Sequence, residues 1–204
     1  MSEATFPLHT LDSAPVAARR RMAGINGAFG YLPAGVGLMA TSPPTLEGFA
    51  SANAQFEGAS LDPVSREVVV MTIAVLYECH VCVAMHTARL ERLDAPAELI
   101  VALRERGQLD DERYEALRTF TLAAIDGRGV VDENVFQRFR DVGYDEQNAL
   151  EVVLAIGVYT ISAFANRMTG APLDEPMSAY AWHGAVRRER GTSGSTNATL
   201  GAVR

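Results

Sequence analysis

The stretch Pro63-Val64-Ser65-Arg66-Glu67-Val68-Val69-Val70-Met71-Thr72-Ile73-Ala74-Val75-Leu76-Tyr77-Glu78-Cys79-His80-Val81-Cys82-Val83-Ala84-Met85-His86 decides the fold. Val68 to Val75 is rich in β-branched residues, and propensity alone reads it as a strand. Length argues the other way. The fifteen residues from Pro63 to Tyr77 hold no turn signal, which is too long for a typical strand, and no second convincing strand exists to pair with it. Asp62-Pro63 supplies a helix start, with an aspartate N-cap and proline at the first helical position. The segment therefore reads as a helix buried on nearly all faces, and so does Val152 to Ala165. Two such helices need either a central position or a subunit interface.

Outward from this stretch the chain reads as helix after helix. Asp12 to Asn26 is apolar-periodic and ends in Gly24-Ile25-Asn26-Gly27. Ser42-Pro43-Pro44 opens a helix from about Thr45 to Phe56. Asp94-Ala95-Pro96 opens one that stops near Gly107, and Asp110 one that runs to Ile125 before Gly127. Asp132 opens a short one ending at Gly143, and Asp145 a long one reaching Met168 and Gly170. The expectation is an all-α chain of about seven or eight helices, a single domain over 1–188. Residues 189–204 are small and polar, cannot bury enough apolar area to offset chain entropy, and read as a disordered tail.

Composition narrows the function. Of 204 residues 48% are hydrophobic and 21% charged, with 18 basic against 25 acidic, a formal net charge of −7. That balance carries no basic footprint for nucleic acid. The longest apolar runs fall short of the roughly 18 residues of a membrane span, so no membrane partner is expected. Met1-Ser2-Glu3-Ala4-Thr5 lacks the basic and apolar regions of a secretory signal, and the expected location is cytoplasmic. Two cysteines three residues apart cannot staple a fold. In a reducing compartment such a pair is redox-active or metal-binding.

The second half of the stretch carries the chemistry. On a helix, Cys79, Cys82 and His86 fall within roughly 60° of one another. Cys82 and His86 are an i, i+4 pair, close enough for the imidazole to take a thiol proton. Cys79 and Cys82 are an i, i+3 pair whose Cα separation, about 5 Å, is compatible with a disulfide. A helix starting near Cys79 would favour a thiolate there through its free amides and dipole. The spacing thus supplies a nucleophilic thiol, a resolving thiol and a base. A zinc site is the sharper rival: C-x2-C-x3-H offers three ligands, but His80 lies about 100° around the helix from Cys79 and does not converge with them. Incidental core packing is the plainer one. No flavin, haem or nicotinamide motif is visible, so neither cofactor nor metal is expected. His9, Trp182-His183, Tyr159 and Asn166 read as surface or core groups, and the methionines as core filler.

Glu67-x11-Cys79-x2-Cys82-x3-His86 resembles the active-site signature of the AhpD-like alkylhydroperoxidases of the carboxymuconolactone decarboxylase superfamily. Leu61-Asp62-Pro63, Arg66-Glu67 and the later Asn166-Arg167 fit the same resemblance, which covers roughly residues 40–170. It implies an all-α fold, assembly built on trimers, and thiol-dependent reduction of hydroperoxides. Carried onto this chain, Cys82 is the peroxidatic cysteine, Cys79 the resolving one, His86 the proton acceptor and Glu67 the group behind it. Val81 stands where the family's founding members carry a second histidine, and His80 lies one residue earlier, which implies a simpler relay.

Base proximity agrees with this assignment. His86 is one turn from Cys82 but about 10 Å along the axis from Cys79. A dipole at an exposed helix start contributes about 0.3–1 kcal/mol, whereas a positioned base contributes about 10²–10⁴ in rate. On one straight helix Glu67 and His86 would lie about 28 Å apart, so their meeting requires a sharp turn between Leu76 and Cys79, where Tyr77-Glu78 contains neither glycine nor proline. The expected partners are a hydroperoxide, an external dithiol such as a lipoyl or thioredoxin-like protein, and further copies of the chain. The alternatives are a decarboxylase of the superfamily's eponymous type and a non-catalytic redox-sensing or zinc-binding module.

Overall fold

The computed structural model describes residues 6–184; the expected tail at 189–204 lies outside them. The described chain is all-α: α1 Val16–Phe29, α2 Ala34–Met39, α3 Pro43–Glu57, α4 Pro63–Leu76, α5 His80–Arg92, α6 Ala97–Arg104, α7 Glu112–Asp126, α8 Glu133–Asp141 and α9 Glu146–Thr169, then a 3-10 helix at Glu175–Tyr180. The count exceeds the expected seven or eight because α2 and the 3-10 helix each last only six residues, too short for a periodic pattern.

α4 is the central element. The segment that propensity reads as a strand is helical, and Val68 to Val75 are all buried. Helix wins because α5, α6, α7 and α9 surround α4 and bury its side chains whatever their direction. The Asp62 side chain caps α4 by accepting from the Ser65 amide at 2.9 Å, and Pro63 occupies the first position. Its other oxygen accepts from the Ser65 hydroxyl and from Arg113 at 2.9 Å. Burial pushes the Asp62 carboxyl up, but these hydrogen bonds outweigh it and hold the group below its usual range. Arg113 also lies over the Tyr144 ring, which stacks on Phe139 and through it on Phe120, so α7, α8 and the α9 approach lock together.

Three other boundaries differ from the expectation. α1 starts after Pro15 rather than at Asp12, and it runs through Gly24 and Gly27 to stop at Gly30, whose φ of 79° ends the helix. α7 is capped by Asp111, not Asp110. α6 starts after Pro96, while Asp94 sits in the left-handed region that closes α5. The larger correction concerns α9. The Val152 to Ala165 stretch is not buried on nearly all faces. One face packs against α2, α3, α4 and α7, while Leu150 (72% exposed), Val153, Ile161, Phe164 (50%) and Met168 (72%) face outward. Among the described helices α9 alone is long and apolar enough to cross a membrane by length and composition.

Candidate active site

The turn that joins α4 to α5 positions the site. The Glu78 amide donates to Val75 O at 3.2 Å and the Cys79 amide to Ala74 O at 2.9 Å, which together form a Schellman motif. Its left-handed residue is Glu78, with φ 54°, where glycine is usual. The strain is offset by two arginines. Arg167 donates to Tyr77 O at 2.5 Å and Glu78 O at 2.9 Å, and Arg106 to Val75 O at 2.5 Å. Both also pair with the Glu78 carboxylate, at 3.6 Å and 3.5 Å. The chain reverses within two residues, and α5 packs back along α4.

Cys79 ends this turn and starts the next helix. It is the N-cap of α5, and its sulfur accepts from the Cys82 amide at 3.3 Å. The two sulfurs are paired in a disulfide, with a Cα separation of 5.3 Å, and both residues are buried. The reversal brings Glu67 against His86, with Nδ1 and Oε2 2.7 Å apart. A carboxylate only accepts, so Nδ1 carries the proton and Nε2 is left for chemistry. Glu67 is 1% exposed, a depth at which a carboxylate needs a counter-charge. Arg89 supplies it, with Nε 3.0 Å from Oε1, while its other nitrogens clasp Glu57. The hydrogen bonds to Glu57 raise the Arg89 guanidinium further above its ordinary value. Tyr159 stands edge-on to the His86 ring, with centroids 5.2 Å apart, and donates to Asn53 Oδ1 at 3.1 Å. Burial, with the Glu67 charge behind it, pushes the Tyr159 phenol far up, so it stays neutral.

α9 covers the sulfurs. Ser162 lies 3.7 Å from the Cys82 sulfur, and Asn166 Nδ2 donates to Cys82 at 3.6 Å and Cys79 at 3.8 Å. Tyr159, Ser162 and Asn166 are spaced i, i+3, i+7, one face of the helix. Reading the sequence treated Tyr159 and Asn166 as core groups and passed over Ser162 and Arg89. The available signal was that polar i, i+3, i+7 spacing within an otherwise apolar helix. His80, at the exposed start of α5, takes no part. Among the described residues no cluster of three or more His, Cys, Asp and Glu is arranged to hold a metal.

Residues 43–124, which span α3 to α7 and so include all four predicted site residues, match the carboxymuconolactone decarboxylase family. No curated protein is a significant sequence match. Among solved structures, a peroxidase-related protein of Ralstonia eutropha JMP134, described as an alkylhydroperoxidase AhpD core, superposes with a TM-score of 0.74 at 18% identity over 87% of this chain and 95% of its own. A peroxidase-related protein of Silicibacter sp. TM1040 gives 0.70 at 14% identity, over 86% and 93%. The debrominase Bmp8 in complex with 2,3,4-tribromopyrrole gives 0.70 at 17%, over 88% and 96%. The central part of the chain, residues 43–124, thus resembles the carboxymuconolactone decarboxylase family, and the chain carries the AhpD-like helical fold.

Proposed function

We propose that this chain is a thiol peroxidase in which Cys82 is oxidised and Cys79 resolves. One observation carries the reading: a buried cysteine pair lies on the same helix as an imidazole whose second nitrogen is tied to a buried, arginine-compensated carboxylate. His86 Nε2 takes the Cys82 proton. The thiolate attacks the distal oxygen of a hydroperoxide, an S–O bond forms as the O–O bond breaks, and the alcohol leaves with the proton held by His86. The Cys79 thiol then attacks the Cys82 sulfenic acid, forming the disulfide and releasing water. An external dithiol, of lipoyl or thioredoxin type, returns both thiols by exchange. A cytoplasmic location fits a pair that must be reduced at every cycle.

Thiol counting after one equivalent of hydroperoxide tests this. Wild type should lose two thiols. Cys79→Ser should react once and leave a Cys82 sulfenic acid trapped by a dimedone-type probe, and Cys82→Ser should not react. A sulfenic acid trapped at Cys79 in Cys82→Ser, with Cys79→Ser inert, reverses the roles.

The similarity to a debrominase motivates a second reading on the same electrons: a bromoarene and two thiols give arene, bromide, one proton and the disulfide. Bromide release from a bromopyrrole, with no thiol loss to hydroperoxide, would favour it.

The outer stripe of α9 supports self-association. Leu150, Val153, Gly157, Ile161, Phe164 and Met168 share one narrow face, and each of the first three recurs eleven residues later, a period that keeps the stripe parallel to the helix axis. Reversal about position 159 exchanges Leu150 with Met168 and Gly157 with Ile161. A second copy laid antiparallel would therefore set each isoleucine over a glycine whose Cβ position is open.

A further inference from the structure

We propose that the Asn166 amide, assisted by the Ser162 hydroxyl, is the group that stabilises the Cys82 thiolate, and that the missing side chain of Gly35 leaves the room this amide needs. The inference rests on the thiol reading above but not on the identity of the oxidant.

Asn166 is buried in the last turns of α9, where an amide costs free energy unless its hydrogen bonds are made. Among the described residues its side-chain donor bonds go to the two sulfurs alone. Sulfur in a disulfide or thiol is a weak acceptor. Such bonds return little of the cost of burying the amide while the sulfur is neutral. An anionic sulfur is a much better acceptor, and hydrogen bonds to charged groups are about twice as strong as neutral ones. The arrangement is therefore complementary to the thiolate rather than to the paired state. It is also asymmetric. Asn166 is nearer Cys82 than Cys79, and Ser162 reaches Cys82 only.

A third element orients the amide. An added Cβ at Gly35 in α2 would lie 2.3 Å from Asn166 Oδ1. Glycine at 35 is what allows Oδ1 to face α2 while Nδ2 faces the sulfurs. Any side chain there must displace the amide. The charged and titratable groups near Cys82 are His86 on its own helix, Glu67 on α4 behind that imidazole, Arg89 and Glu57 behind Glu67, and Tyr159 on α9. Among the described residues none of them hydrogen-bonds the Asn166 side chain, whose bonds go to the sulfurs, so a change at 166 or 35 can be separated from a change in the His86–Glu67 pair.

The readout is the rate of alkylation of Cys82 by iodoacetamide as a function of pH, in a Cys79→Ser background where one thiol remains. Asn166→Leu should lower the rate at pH 7 about tenfold and move the pH midpoint up by about one unit. Gly35→Ala and Ser162→Ala should move it the same way by less. If Asn166→Leu fails to fold, which circular dichroism will show, the two alanine variants carry the test. Folded variants with the parent's alkylation profile overturn the proposal. No peroxide enters the assay. A chain that reduces no hydroperoxide but shows these shifts sinks the peroxidase reading alone, whereas unchanged profiles with intact peroxide reduction sink this inference alone.

Discussion

The two long faces of α9 reverse the usual distribution. Its inner face buries Tyr159, Ser162 and Asn166 against the cysteines, while its outer face exposes Leu150, Val153, Ile161, Phe164 and Met168. A surface helix ordinarily does the opposite. Val152, Ala155, Val158 and Ala163 still anchor the helix to the core, so the polar inner residues are insertions into a packed face. The contrast teaches that burial alone does not identify a site, and exposure alone does not identify a surface open to water. Thr72, Thr87 and Thr121 are as buried as Asn166 but bond their own helix backbone, whereas the Asn166 amide reaches the sulfurs.

The largest expected effect breaks the inner face. His86→Ala should lower hydroperoxide turnover by about 10²–10⁴, the range for a positioned base. Glu67→Gln should fall in the same direction by less, because it acts through the imidazole. Steady-state turnover with a dithiol checks both, and a loss below threefold in His86→Ala would remove the relay.

An intermediate effect belongs to the outer face. Ile161→Glu with Phe164→Glu should reduce the assembly to a 22 kDa particle by light scattering while changing turnover per site by less than about twofold. A wild type that already scatters as 22 kDa at micromolar concentration would leave the stripe without a partner copy.

The smallest effect lies outside both faces and sets the scale of ordinary stability. Asp62→Ala removes the α4 cap and should cost about 0.5–2 kcal/mol, a drop in Tm of roughly 1–8 °C for a chain of this size. The Asp62 carboxyl is held below its usual range in the folded chain. Its contribution is therefore present above the unfolded value, about 3.9, and is lost as the pH falls from there through the lower folded value. The Tm gap between wild type and variant should be full at pH 7 and close on acidification below about pH 4, which paired thermal melts will show.

Much of this was legible in the sequence because its signals are local. Asp62-Pro63, Asp132 and Asp145 each cap the helix they announce. The spacing of Glu67, Cys79, Cys82 and His86 fixes the helical face of the last three, and the family resemblance adds Glu67. The sharp reversal after Leu76 could be required but not read, since its stabilisers are Arg106 and Arg167 rather than a glycine within it. Arg89 escaped notice because its meaning depends on how deep Glu67 lies. Ser162 and Asn166 stand 80 and 84 residues from Cys82, and no local pattern couples positions so far apart. α9 misled for a related reason: apolar composition records how much of a helix avoids water, not whether this chain or another copy covers it.

The two arginines and the amide that complete the turn and the sulfur environment also impose an order in time. Cys79 and Cys82 are synthesised first, and Ser162, Asn166 and Arg167 follow some 80 to 90 residues later. At ordinary elongation rates that interval is on the order of ten seconds. During it the nascent chain presents a cysteine pair with neither the amide, the hydroxyl nor the α9 latch on its turn. The sulfur environment is complete only when the last third of the chain docks, so until then the cysteine pair has the surroundings of an ordinary peptide.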